Sequence, residues 1–137
     1  MNGLMMNYQL TLRPILERAN QLFGQKEIVS RMDWGIHRYT YADFYKRCCQ
    51  LAHGLAKLGI EQGDRVGTFA WNSYRHLELY FGIPCYGAVC HTLNLRLHPS
   101  QLDYIINHAD DRVIFVDSNI IHLLEPIADQ LPNVTHF

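Results

Sequence analysis

The chain has almost no excess of charge of either sign. Its 12 Lys and Arg residues stand against 13 Asp and Glu, and the basic residues are scattered, which excludes the basic stripe of a nucleic-acid-binding protein and the basic face drawn to an anionic membrane. A long hydrophobic run is also missing. The most apolar stretch, Leu77 to Leu93, is broken by Glu78, Pro84 and His91 and falls short of the roughly 20 residues of a bilayer span. The leading residues MNGLMMNYQLTLRPILERANQLFG have no charged region ahead of an apolar core, so no secretory leader is read there and a cytoplasmic location is expected. Cysteine is sparse: Cys48, Cys49, Cys85 and Cys90 lie inside apolar segments rather than at framework spacings, which predicts reduced, buried thiols. Repeats and low-complexity tracts are absent.

Several chemical signatures are missing as well. Neither G-x-G-x-x-G nor G-x-x-x-x-G-K-[ST] occurs, although LGIEQGDRVGTFAWNS, Leu58 to Ser73, has the outline of a nucleotide-binding unit. Its glycines precede the apolar segment, whereas a phosphate loop needs them after the strand, at the helix N-terminus. Eight histidines invite a metal, but no pair has ligand spacing, and Cys85 to Cys90-His91 misses the C-x-x-C-H pattern; surface or loop histidines are expected. Cys48-Cys49 falls mid-helix beside Lys46 and Arg47, where a lowered thiol pKa needs an exposed sulfur, so core packing is the expectation. No G-x-S-x-G elbow is present. Asp110-Asp111 and Asp103 are candidate acid-base carboxylates, but Asp110-Asp111 falls in a turn between helix and strand, where Asp is favoured for local hydrogen bonding, so solvated turn acids are expected. No residue is assigned a catalytic, cofactor-binding or metal-ligating role.

What is there is a soluble, globular composition: 137 residues, 48% hydrophobic and 18% charged, enough for one domain. Residues 10–23 carry a helical apolar stripe stopped by Gly24. Two short β segments, 27–32 and 36–39, flank Asp33-Trp34-Gly35 and predict a peripheral hairpin. Thr40 and Asp43 form a capping box for a helix whose Phe44, Cys48, Leu51, Leu55 and Leu58 share a face and whose C′ residue is Gly59. A buried strand is predicted at 66–70, a helix at 73–86 behind an Asn72 or Ser73 cap, a strand at 88–92, a helix opened by His98-Pro99, and a strand at 112–116. Asp117-Ser118 should cap a last helix through Ala128, and 132–137 should begin another strand. Alternating strands and helices argue an α/β fold: a mainly parallel β-sheet flanked by helices, with an N-terminal helix and peripheral hairpin in 1–40 and the α/β unit in 41–137. A last strand with no crossover behind it predicts a partial subdomain of a larger protein. The loop after the strand at 88–92, Thr92 to His98, lies where α/β ligand crevices form; Asn94 should bond its own loop, and Arg96 should pair with an acid or reach an anion, with structural use favoured.

The order of these segments, rather than any one motif, carries a resemblance. RYTYADFYKRCCQLAHGLAKLGIEQGDRVGTFAWNSYRHLELYFGIPCYGAVCHTLNLRLHPSQLDYIINHADDRVIFVD, Arg38 to Asp117, resembles the N-terminal part of the AMP-binding, adenylate-forming enzymes, most of all the medium- and long-chain fatty acyl-CoA synthetases. The matching features are the Thr-Tyr helix opening, L-G-x-x-x-G-D-R-V, Asn72, Tyr86 to Val89, the Asn94-Leu-Arg-Leu loop and Val-Ile-Phe-Val-Asp. The resemblance implies a parent enzyme that uses ATP, Mg2+ and coenzyme A to turn a fatty acid into its acyl-CoA through an acyl-adenylate. In the family the Ser/Thr/Gly-rich loop ending in Pro-Lys, the Tyr-x-x-Thr-Glu motif, the ribose-binding Asp and the C-terminal Lys come later, and none occurs in these 137 residues. The chain is therefore expected to be scaffold, truncated before the ATP-binding motifs and inactive alone. Its expected partners are the remainder of the large domain and a second copy in a homo-oligomer, with no cofactor of its own. The alternative is a complete small α/β binding or regulatory module derived from this family.

Overall fold

The computed structural model describes Gly3 and residues 6–137; the first residues of the predicted N-terminal unit, 1, 2, 4 and 5, lie outside the described residues. Helix α1 spans Leu12–Phe23, followed by strands β1 (Glu27–Met32) and β2 (Gly35–Thr40) and helix α2 (Tyr41–Lys57). Then come β3 (Arg65–Phe69), α3 (Tyr74–Tyr86), β4 (Val89–Thr92), α4 (Pro99–Ala109) and β5 (Asp111–Val116). The predicted α/β architecture is present, with the antiparallel β1-β2 hairpin apart from a three-stranded parallel sheet of order β4-β3-β5.

Local chemistry sets the boundaries. Thr40 Oγ1 accepts from the Asp43 amide at 3.1 Å while Asp43 Oδ2 accepts from the Thr40 amide at 3.0 Å, so the predicted capping box forms. At the other end of α2, Gly59 adopts φ +75°, a left-handed conformation that glycine takes without steric penalty. The Ile60 amide then reaches Leu55 C=O at 3.1 Å and the Gly59 amide reaches Ala56 C=O at 3.1 Å. That pair of bonds is a Schellman stop, and its hydrophobic contact, Ile60 on Leu55, is buried. In the hairpin Met32 pairs with Gly35, so the loop is only Asp33-Trp34 and Gly35 belongs to β2.

The sheet runs from β3 outward to β4, then back across β3 to β5. Because parallel crossovers are right-handed, reversing direction puts α3 and α4 on opposite faces. Val66, Val113 and Ala88 pack with Leu55, Leu79 and Ile83 on the α2/α3 side; Phe69 and Ile114 pack with Leu102, Ile106, Leu124 and Ile127 on the α4 side. Leu16 of α1 meets Phe44 and Cys48 in a third cluster.

Two expected elements differ. The predicted last helix is two 3-10 turns, Ile121–Leu123 and Glu125–Gln130, because Pro126 has no amide to donate and its ring obstructs a continuous α-helix. The predicted strand at 132–137 is a single parallel bridge, Val113 with His136, held by Thr135 N–H to Arg112 C=O at 2.8 Å and Ile114 N–H to His136 C=O at 3.1 Å.

Candidate functional site

The carboxyl ends of parallel strands are where an α/β sheet opens to ligands, and here two crevices meet at that edge. One, of about 380 Å³, lies between α2, α3 and the end of β5, with Leu51, Leu79, Phe115 and Val116 as its apolar floor and Arg47 and Glu78 at its wall. The other, of about 280 Å³, lies between the hairpin tip and the segments leaving β3 and β5, and includes Trp34, Trp71, Ser73 and Asn119. Arg75 and Asp117 line both.

The polar groups of this edge are largely held by each other. Arg47 Nε donates to both carboxylate oxygens of Glu78, at 2.9 and 3.0 Å, and Glu78 is nearly buried. Burial, followed by that neighbouring negative charge, raises the Tyr39 phenol well above its ordinary pKa. Asp117 Oδ2 accepts the Trp71 amide at 2.9 Å, and the Trp71 indole donates to Asn119 Oδ1 at 3.2 Å. Asp117 thus ties the β3 exit to the β5 exit instead of capping the predicted helix. His76, on α3, is buried against Thr68, with Nε2 3.1 Å from Thr68 Oγ1; desolvation lowers its pKa, favouring neutral imidazole.

Ser73 occupies the N-cap position of α3 but its hydroxyl makes no capping bond, unlike the cap expected of it. Loop 92–98 is structural: Leu93 is buried, Leu95 and Leu97 pack on the α4-side core, and Asn94 Oδ1 accepts the Arg96 amide at 3.0 Å, as its sequence suggested. Arg96 is exposed.

Three expectations for reactive side chains require correction. Asp111 is not a solvated turn acid: it opens β5 and is fully buried, with both oxygens on His91 Nδ1, at 3.0 and 2.8 Å. His91 in turn is a strand residue rather than a loop or surface histidine. The pair reaches across the middle strand, since His91 is in register with Gly67 and Gly67 with Ile114. A Cβ on Gly67 would stand 3.0 Å from Ile114 Cγ1 and 3.3 Å from Asp111 Oδ2, so the absent side chain is what gives the carboxylate its place. A register shift between Arg65 and Val66 leaves Arg112 as the extra residue, which turns Asp111 onto the face of Ile114. Burial raises the Asp111 pKa, and the His91 hydrogen bond and charge, then Arg65, pull against it. Asp110 itself is the left-handed cap of α4, φ +58°, gripped by Arg65 Nη2 at 2.8 Å. Neither the i,i+20 spacing of His91 and Asp111 nor their neighbours signals the pairing; the glycine in an otherwise apolar strand is its one local trace.

All four cysteines are free thiols, but only Cys48 is buried while Cys49 is exposed. Desolvation pushes the Cys48 thiol up to about 12 and raises Cys85 and Cys90 as well. Such thiols are poor nucleophiles. Among the described residues no three His, Cys, Asp or Glu side chains converge to hold a metal ion, and none of the helices is long and apolar enough to cross a membrane.

A parallel sheet wound on both faces, with its polar edge at the carboxyl end, is the frame of an α/β ligand-binding enzyme domain. The chain belongs to the AMP-binding enzyme family, which matches residues 16–136. It is 50% identical over 134 residues to a long-chain-fatty-acid--CoA ligase of Thermus thermophilus, covering 97% of this chain and 25% of that protein. It is 38% identical over 138 residues to a medium-chain-fatty-acid--CoA ligase of Ectopseudomonas oleovorans, covering 100% of this chain and again 25% of the relative. The fold matches that of an anthranilate CoA ligase solved with anthranoyl-AMP, with a TM-score of 0.86 and 26% identity over 96% of this chain and 25% of that one. The chain thus spans about a quarter of the length of the curated relatives it matches.

Proposed function

We propose that this chain is the N-terminal segment of an ATP-dependent fatty acyl-CoA synthetase, and that it serves as scaffold without adenylating a carboxylate alone. One observation carries the reading: the match to the fatty-acid--CoA ligases is continuous over nearly the whole chain yet takes up only a quarter of each relative. Adenylation needs donors around a triphosphate, a site for Mg2+ and a cation where charge develops on the α-phosphate. The residues present do not compose those parts. No glycine follows β3 before α3, and the buried carboxylates Glu78 and Asp111 are already committed to Arg47 and His91. No chemical step is therefore assigned to this chain's residues.

What the segment supplies instead is a shaped surface. The apolar floor of the 380 Å³ crevice, with Phe115 only half-buried, is the place where the remainder of the large domain would close on β5. The parent would take a fatty acid, ATP and coenzyme A. ATP-pyrophosphate exchange with octanoate or palmitate tests the reading: the 137-residue chain should show no exchange above background, and exchange by the chain alone would overturn it.

A further inference from the structure

We propose that Cys49 and Cys85 form a two-thiolate site for a soft monovalent cation of the copper(I) class, in the small pocket where α1, α2 and α3 meet. The proposal does not depend on the ligase reading. Each helix contributes a stripe of side chains at helical spacing. α2 presents Tyr45, Cys49 and Ala52, α3 presents Gly82 and Cys85, and α1 adds Arg13 and Glu17, around a pocket of about 170 Å³. Cys48 lines it too, so three of the chain's four cysteines share one pocket, drawn from two helices. A Cβ on Gly82 would stand 2.5 Å from Leu51 Cδ2. The absent side chain therefore lets α2 and α3 approach closely, which brings the Cys49 and Cys85 walls of the pocket together.

The lining of the pocket selects its ligand. Drug-sized organic molecules take roughly 300–1,000 Å³, more than this space offers. Hard cations need oxygen ligands, and the one carboxylate here, Glu17, is held by Arg13 Nε at 2.8 Å. Zinc takes four ligands in structural sites, whereas among the described residues no three His, Cys, Asp or Glu side chains are placed to hold a metal ion. What suits the pocket is an ion content with two soft sulfur ligands, and thiolates select Cu(I) among the first-row metals. Cys49 is exposed and Cys85 half-buried, and the two lie within electrostatic reach of each other. Cys48 is the third sulfur but is buried and directed to Glu78 C=O at 3.8 Å. On binding, both S–H bonds break, two S–Cu bonds form and both protons pass to solvent. Copper stays Cu(I), so no oxidant or reductant is consumed, and the charge of the cation itself deprotonates the thiols it binds.

The test adds the full 137-residue chain, under argon with ascorbate, to the coloured Cu(I) complex of bathocuproine disulfonate, whose absorbance falls as copper is withdrawn. The wild-type chain should withdraw one Cu(I). Cys49→Ser and Cys85→Ser should each weaken that site about a hundredfold or more, since loss of even an outer-shell partner costs up to that much. Cys90→Ser, on β4 and outside the pocket, should leave it unchanged. Cys49 is exposed, so Cys49→Ser should keep the wild-type circular dichroism. Where Cys85→Ser fails to fold, X-ray absorption at the copper edge of the loaded wild-type chain still decides, with two sulfur neighbours expected. No withdrawal of copper overturns the proposal, as does a copper bound by one sulfur or by nitrogen. So does a folded Cys49→Ser or Cys85→Ser chain that binds as wild type does.

Discussion

Replacing His91 with Leu removes the partner of a fully buried carboxylate while keeping side-chain bulk on β4. Breaking a buried pair by removing one member costs about 3–5 kcal/mol. The lower end, about 3 kcal/mol, applies here because the His91 side chain is 25% exposed and Arg65 still bears on Asp111. For a domain of this size that corresponds to a melting temperature lower by roughly 10 °C. The pH dependence identifies the cause. Burial raises the Asp111 pKa in the folded protein, and His91 is the main group opposing that rise; without it the folded pKa climbs further above the unfolded value. A raised carboxyl pKa means that the folded state binds more protons than the unfolded state, so stability is fully present below the unfolded pKa and is lost as pH rises through the folded one. The deficit of His91→Leu should therefore shrink toward pH 4 and grow toward pH 8, with a slope of at most about 1.4 kcal/mol per pH unit. Urea unfolding followed by circular dichroism between pH 4 and pH 8 measures it. A second change, Asp111→Leu, removes the stranded charge and should recover part of the loss, since replacing both partners is far milder than orphaning one. A His91→Leu variant within about 0.5 kcal/mol of wild type, the range of ordinary surface substitutions, or a deficit flat across that pH range, would refute the reasoning.

Two further outcomes check other parts of the structure. Thr40→Ala removes the acceptor of the Asp43 amide and should cost about 1 kcal/mol, read as a lower urea midpoint at unchanged slope. At neutral pH a thiol-specific reagent should modify exposed Cys49 first and leave Cys48, buried and pushed up to about 12, unreacted until the chain unfolds; early modification of Cys48 would contradict its placement.

Local signals in the chain report events that involve only neighbouring residues. The Thr40-Asp43 box, the Gly59 stop and the His98-Pro99 opening of α4 are each decided within about six residues, and each stands where the pattern places it. The helix foreseen after Asp117 failed on one local fact, Pro126, whose missing donor outweighs the apolar spacing around it. The cap foreseen at Ser73 also failed: its hydroxyl is buried without a hydrogen-bond partner and caps no amide of α3.

By itself the sequence determined the α/β class, the order of strands and helices and the family, because apolar periodicity, caps and turn glycines are properties of short segments that can be read in succession along the chain. Only the tertiary structure decided which groups are ionised, paired or left without a partner. Asp111 reads as a turn acid until the sheet order brings β4 and β5 to either side of Gly67. Strand order and register depend on contacts between residues far apart in the chain, which set the solvation of a carboxylate more strongly than its sequence neighbours do.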